Sequence, residues 1–534
     1  MAKQIFKGQE ARDLLKAGVD ILADAVKITI GPKGRNCILD RGFQSPLITN
    51  DGVSIAKEII LSNRANNMGA DIVRDVANKT NDKVGDGTTT AIVLTQAILN
   101  EGMNSLTSGS NIVALKNGIT KAANYVIAEL KKSAIQIEGL EKISQIATIS
   151  AESKEIGDVV ADTLMKVGKD GIVTVEESQT MGVKSEVVVG MKLDKGYVSP
   201  YMATEPSKMT AEYSDIAVIL TDKKVSTARE MINILEKIAG TGTKDVFMVC
   251  EDLEGEALST FIMNKLKGNF NITAVQIPGF GNNKKDLLQD ISCMVGGAIF
   301  SDDTGINFET GTLLSVGKAE KVIVSKDSTI IVGPLENKPL VDGRINMLKE
   351  QLKVTEGKID RQKLEERISR LAGGVAVIKV GAATEAEMKY LKLKIEDAVA
   401  ATKAAIEEGV VIGGGCALLK IAKGMTDENE DTQEKKKGVN IIKRAICVPF
   451  YQILKNTGWE KDYIQTIIGK VDYNVGVNYG YNASTGGYIE DMIEAGIVDP
   501  VRVTRIALEN AASAAGALLT TEVIVCDEPI IKEK

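Results

Sequence analysis

Histidine is absent from all 534 residues. That excludes Ser-His-Asp and Cys-His catalysis, His-ligated zinc and any histidine pH switch. Cysteine is scarce. Cys37, Cys250, Cys293, Cys416, Cys447 and Cys526 form no CxxC pair, so a disulfide scaffold is not expected and a reducing cytoplasm is the natural setting. Aromatics make up only 4%, so any core must be aliphatic. Ten prolines leave room for long uninterrupted helices. No run approaches the ~20 apolar residues of a membrane-spanning helix. The opening Met1-Ala2-Lys3-Gln4-Ile5-Phe6 has neither a signal peptide's apolar core nor the Arg/Ser-rich texture of a transit peptide. Anions outnumber cations, 72 to 65, for a net charge of −7. Nucleic acid and membrane are therefore not expected partners.

At ~150 residues per domain the length suggests three or four domains. From Ala11 to about Leu130 the apolar spacing is mostly helical, as in Leu14, Leu15, Gly18, Val19, Leu22 and Val26. Glycine turns at Gly31-Pro32-Lys33-Gly34 and Gly85-Asp86-Gly87 interrupt it. Between Ile172 and Gly374 short β-branched runs appear, at 216–220, 246–249, 272–275 and 322–324, alternating with helical segments. That texture indicates an α/β domain inserted between helical parts. After the apolar run 375–380, a long helix is expected from Glu385 to Glu408, followed by Ala-rich helical sequence. The charged end, Glu528–Lys534, reads as frayed.

No GxxxxGK[ST] phosphate loop occurs. The best phosphate-site candidate is Gly85-Asp86-Gly87-Thr88-Thr89-Thr90, directly before the apolar helix 91–99. Hydroxyls and free N–H groups at a helix start suit an anion, and Asp86 beside them suits Mg²⁺. A plain Thr N-cap after a glycine turn accounts for the same residues. Thr29 to Arg35 is a second glycine turn, and Gly413-Gly414-Gly415 is richer than a C-cap needs. The latter allows close approach of either a ligand or another backbone. On the 385–408 helix, Tyr390, Leu393, Asp397, Ala400 and Ala404 share one face that is apolar except for Asp397. A carboxylate there carries a desolvation cost, so it should be paired, metal-bound or catalytic. In the inserted domain, Met231, Ile234, Leu235 and Ile238 form one face, with Ile232 in excess. Leu253, Ala257, Phe261 and Leu266 form another, with Leu258, Ile262 and Met263 beyond it. That excess is either an exposed apolar patch or a helix buried on two sides.

The chain resembles the group I chaperonins, the GroEL type, over almost its whole length. The resemblance rests on residues 23–36 (ADAVKITIGPKGRN), 51–54 (DGVS), 85–90 (GDGTTT), 196–201 (GYVSPY), 254–258 (EGEAL), 278–281 (PGFG), 371–385 (LAGGVAVIKVGAATE) and 479–483 (YGYNA). It implies an α+β multidomain chaperonin fold. A mostly helical equatorial domain would come from both chain ends (1–132 and 408–534). A small intermediate hinge domain would be 133–188 with 375–407, and an α/β apical domain 189–374. It further implies seven-membered homo-oligomeric rings, non-native polypeptides as clients, a GroES-type co-chaperonin, and ATP with Mg²⁺, with K⁺ as a further cation. By motif, Thr29, Ile30, Gly31, Pro32, Asn50, Gly87, Thr88, Thr89 and Thr90 would line the phosphates. Asp86 would hold Mg²⁺, Asp51 would position the attacking water and Asp397 would activate it. Gly414, Asn482, Ala483, Ile497 and Asp499 would hold the nucleoside. Tyr197, Tyr201, Met202, Ile232, Leu235, Leu258, Ile262 and Met263 would form the apical patch for clients and lid.

Some positions depart from the family pattern. Asn50 stands where GroEL has lysine, Met202 replaces an aromatic, and the Gly-Gly-Met tail is missing. Tyr451 and Asn104 occupy two cationic positions of the usual ring–ring contacts. A ring interface that is weaker or more aromatic is therefore expected. Two rival readings stand beside the ATP-driven folding machine. One is a small-molecule kinase or ATPase with an unusual phosphate loop, for which no acceptor-site residues are found. The other is a chaperonin-like holdase or scaffold without a productive lid cycle. A dead scaffold should have lost Asp51, Asp86 or Asp397, and all three are present.

Overall fold

A computed structural model describes residues 3–41, 44–106, 110–137, 139–151, 153–168, 171–178, 180–205, 209–279, 281–355, 357–428, 430–474 and 476–527. The charged end expected to fray, 528–534, lies outside them. The chain forms two compact units. One takes residues 1–162, 175–184 and 379–534, and the other takes 163–174 and 185–378. The chain passes from one to the other within the helix Lys154–Val167 and the strands Ile172–Glu177, Gly182–Val188 and Val375–Gly381.

The first unit is a helical assembly around the helix Thr88–Ser105. Its sequence carries no charge before Glu101, and the nine residues 91–99 are all buried. A helix apolar all round needs neighbours on every side. The helices Gly8–Val26, Arg64–Val84, Gln433–Ala445 and Val501–Leu519 pack against it. Ile112–Lys132 covers the last two in turn. The core is aliphatic, as the composition requires. This unit also holds strands where no β texture was read. Lys3–Lys7 pairs antiparallel with Val523–Asp527, which ties the two chain ends together. Cys37–Arg41 and Gln44–Thr49 form a hairpin. Both are two-stranded and too short for alternation to register.

The second unit holds a mixed sheet in the order Asn271–Gln276, Asp245–Cys250, Ala211–Thr221, Gly317–Val324, Thr329–Val332 and Gly190–Leu193. Ile299–Phe300 pairs with the end of the third strand. The first three strands are parallel and the rest antiparallel. The four β-branched runs of the sequence all fall in this sheet. The helices Ile232–Ala239 and Gly255–Leu266 belong to this unit. So does Asn282–Val295, whose Asp290 is 1% exposed and bonded to Arg344 Nε and Arg367 Nε, both at 2.8 Å. Two guanidiniums on one buried carboxylate tie three helices together. No helix among the described residues is long and apolar enough to cross a membrane.

Candidate functional site

In the first unit the helix Arg64–Val84 ends at Gly85, which is left-handed with φ 66°. The next helix starts at Thr88 after a second left-handed glycine, Gly87, with φ 75°. A Cβ at Gly85 would lie 2.5 Å from Ala400 Cβ, and one at Gly87 2.5 Å from Val503 Cγ1. Glycine is required at both for conformation and for space. The start of the Thr88–Ser105 helix has no side-chain cap. Its first-turn N–H groups are therefore free to meet an anion, together with the positive end of the helix dipole. The plain Thr N-cap, the rival account of Gly85–Thr90, is thus absent. Thr29 joins this site, with its Oγ1 3.3 Å from Thr89 Oγ1. Gly52 closes on it so tightly that a Cβ would sit 2.4 Å from Thr89 Oγ1.

Three carboxylates converge here. Asp51 caps the helix Gly52–Glu58, accepting from Val53 N at 3.2 Å and Ser54 N at 2.9 Å. Each of its oxygens keeps a lone pair for other work. Asp86 accepts from the adjacent Gly87 N at 2.5 Å. Burial raises its pKa, against that N–H and the Lys394 ammonium, and the Asp51 charge raises it further. Asp397 is held well above the usual carboxylate range, first by burial and then by Asp51 and Asp86. Both groups retain some exposed surface, as the walls of a cleft do. The close packing of Ala400 on Gly85, one turn along from Asp397, is what brings that carboxylate to the turn. Lys394, one turn before Asp397, is the cation that opposes these shifts. The sequence reading missed it, although its i−3 spacing from Asp397 was visible. Three carboxylates beside the single cation Lys394 suit a divalent ion. Among the described residues no three His, Cys, Asp or Glu groups form a metal centre by themselves, so such an ion would share its shell with a ligand's oxygens.

The three-glycine turn resolves into two uses. The 385–408 helix ends at Gly409, and the strand Val410–Ile412 intervenes before the turn, so Gly413–Gly415 does not end that helix. Gly413 abuts the Val498 backbone and Gly415 the Phe450 backbone. Gly414, with φ 63°, faces open space. Backbone packing thus accounts for two glycines and leaves one for a ligand. Val411 pairs with Asp499, and Gly413 N donates to Ile497 O at 2.9 Å. Asp499 Oδ2 accepts from Gly415 N at 3.4 Å. Burial pushes its carboxyl up to about 6, against the Gly415 and Gly414 N–H groups, with Asp86 adding a smaller push. Asn482 sits in the hairpin of Gly480–Asn482 with Gly487–Ile489, where its Oδ1 accepts from Ser484 N at 2.9 Å. A Cβ at Gly480 would meet Cys416 Sγ at 3.2 Å. That contact brings the hairpin, with Ala483 buried in it, beside the glycine turn. Asn50 and Ile497 are half-buried and Pro32 is exposed.

In the second unit, six of the eight patch residues reach the surface. Tyr201 is 70% exposed, Ile232 and Met263 are exposed, and Leu235, Leu258 and Ile262 are half-buried. Tyr197 and Met202 depart from the expectation and are buried, at 8% and 1% exposure. The short turn Pro200–Met202 puts Met202 against the strand Asn271–Gln276, where its sulfur accepts from Ala274 N at 3.4 Å. Lys265 Nζ donates to its carbonyl at 2.5 Å. Tyr197 bridges to Val275 on the same strand. Leu266 is the opposite case. It was assigned to the buried face and is 69% exposed, because five residues beyond Phe261 is about 140° around a helix.

The model of the TCP-1/cpn60 chaperonin family matches residues 22–529. Among solved structures, the chain is similar to the chaperonin gp146 of bacteriophage EL (Pseudomonas aeruginosa), crystallised in the presence of ATP-BeFx. The two share 21% identity, with 98% of this chain and 99% of that one covered, at a TM-score of 0.65. That likeness shows the fold. The family match spans nearly every element described above, and the chain belongs to the TCP-1/cpn60 chaperonin family.

Proposed function

We propose that the protein is an ATP-driven chaperone of the cytoplasm that captures non-native polypeptides and promotes their folding inside a ring closed by a co-chaperonin. The reading rests on one observation above the others. An uncapped helix start, Thr88–Thr90, stands among three mutually repelling carboxylates. Such a site suits a polyphosphate that arrives with a divalent cation. The Thr88–Thr90 N–H groups would bind phosphate oxygens, with Thr29–Pro32 and Asn50 on the other side. Gly414, Asn482, Ala483, Ile497 and Asp499 would hold the nucleoside. Mg²⁺ would be held by Asp86 and would supply charge neutralisation during phosphoryl transfer. Asp51 would orient the attacking water. Asp397, with its raised proton affinity, would accept a proton from that water at its carboxylate. Tyr201, Ile232, Leu235, Leu258, Ile262 and Met263, with Leu266 added, would hold the apolar segments of clients and the lid. Residues 133–188 and 375–407 would act as the hinge between equatorial and apical domains, and seven copies would form each ring.

The test is Asp397→Ala. It should slow ATP hydrolysis by orders of magnitude while ATP still binds, measured by phosphate release beside a binding titration. Hydrolysis at the parental rate would remove Asp397 from the mechanism.

A further inference from the structure

We propose that Asn456 is a positioning residue that fixes the direction of the Gly31 N–H in the phosphate-facing loop. The proposal rests on the nucleotide reading given above. Asn456 is the last residue of the helix Val448–Asn456. Its Nδ2 donates to two carbonyls of the loop, Lys27 O at 3.0 Å and Ile30 O at 2.9 Å. One amide group thus spans the turn Lys27–Ile30 like a staple. Its Oδ1 accepts from the buried Gln452 Nε2 at 2.8 Å, which determines the end of the amide that faces the loop. The adjacent Ile453 presses on Gly31, where a Cβ would lie 2.9 Å from its Cγ2. Residues 453 and 456 therefore both meet the loop, with Gln452 behind Asn456.

Two other carbonyls of this stretch are satisfied by the loop itself. Ile28 O accepts from Arg35 N and Gly31 O from Gly34 N, both at 2.9 Å. Lys27 O and Ile30 O are the two that Asn456 holds. A trans peptide is planar, so the C=O of Ile30 and the N–H of Gly31 point in opposite directions. Anchoring Ile30 O on Asn456 turns the Gly31 N–H away from the Val448–Asn456 helix. On the loop's other flank Thr29 meets Thr89, at the uncapped helix start. A half-buried amide that only capped its own helix would cost stability when lost. An amide that aims a phosphate donor would also change which part of a nucleotide binds.

Titrations of ATP and adenosine against the parent, Asn456→Asp, Gln452→Met and Thr466→Ala separate the two. Asn456→Asp keeps the shape but sets an acceptor against two carbonyls, so ATP affinity should fall tenfold or more while adenosine affinity stays within about twofold. Gln452→Met should show the same pattern more weakly, and it decides the matter if Asn456→Asp does not fold. Thr466→Ala, on an exposed helix face, should match the parent. A parent that binds no ATP overturns the nucleotide reading and this proposal with it. A parent that binds ATP, beside variants with an unchanged ATP-to-adenosine ratio, leaves Asn456 as a helix cap and overturns this proposal alone.

Discussion

Asp499 ties the pH dependence of stability to one half-buried carboxyl. Its carboxyl rises from 3.8 to about 6, so between those values the folded chain holds a proton that the unfolded chain has lost. Stability from this group is full below 3.8, declines as pH climbs to about 6 and stays lost above it. Asp499→Asn removes the charge and keeps an acceptor for the Gly415 N–H. In ligand-free protein the variant should melt a few degrees above the parent at pH 7.5, with the gap narrowing toward pH 5. Thermal scans across that range check it. Identical melting at every pH would show that the ionised carboxylate costs nothing where it sits. The Asp397 anomaly was legible in the sequence because a helical stripe of apolar residues makes one carboxylate conspicuous. Asp499 carried no such signal, since the strand that holds it, Val498–Pro500, is three residues long.

At the level of elements, the long periodic segments were readable and the short ones were not. The 385–408 helix has the bounds its pattern gave. The four runs of the inserted sheet fell where β-branched residues cluster. The terminal strand pair and the 37–49 hairpin left no mark, because two-stranded pairs are fixed by partners distant in sequence. Leu266 was misassigned by counting apolar residues without following the angle around the helix. Its exposure, with that of Met263, widens the apolar face of Gly255–Leu266. Leu258→Glu and Leu266→Glu should each abolish or sharply weaken suppression of client aggregation while ATP turnover persists. A client would have to bury an unpaired carboxylate, at a cost of several kcal/mol. Light scattering of an unfolding client, beside phosphate release, reads both. Unchanged suppression by both variants would move client capture to another surface.

For the whole molecule, assembly carries the expectation that ion pairs matter less than usual. Tyr451 is half-buried and Asn104 exposed where the family pattern has cations. Trp459 is 40% exposed and lies edge-on to Tyr463, with centroids 4.9 Å apart. Exposed ion pairs are individually worth at most about 1 kcal/mol and are screened by salt, whereas aromatic contacts are not. Sedimentation of the proposed rings across a salt series should therefore show little change in the double-to-single ring ratio. Steep dissociation with rising salt would mean that other ion pairs hold the rings.

Trp459 is also the chain's single tryptophan, three residues past the amide that staples the Lys27–Ile30 turn. Excited at its own wavelength, the native protein carries one light source, and that source follows closely in sequence the residue proposed to aim the phosphate-facing loop. A shift of the Asn456 turn on filling of the proposed site would be read as a shift in that emission. The unlabelled protein thus carries a single emitter next to the turn by which the proposed nucleotide site is tested.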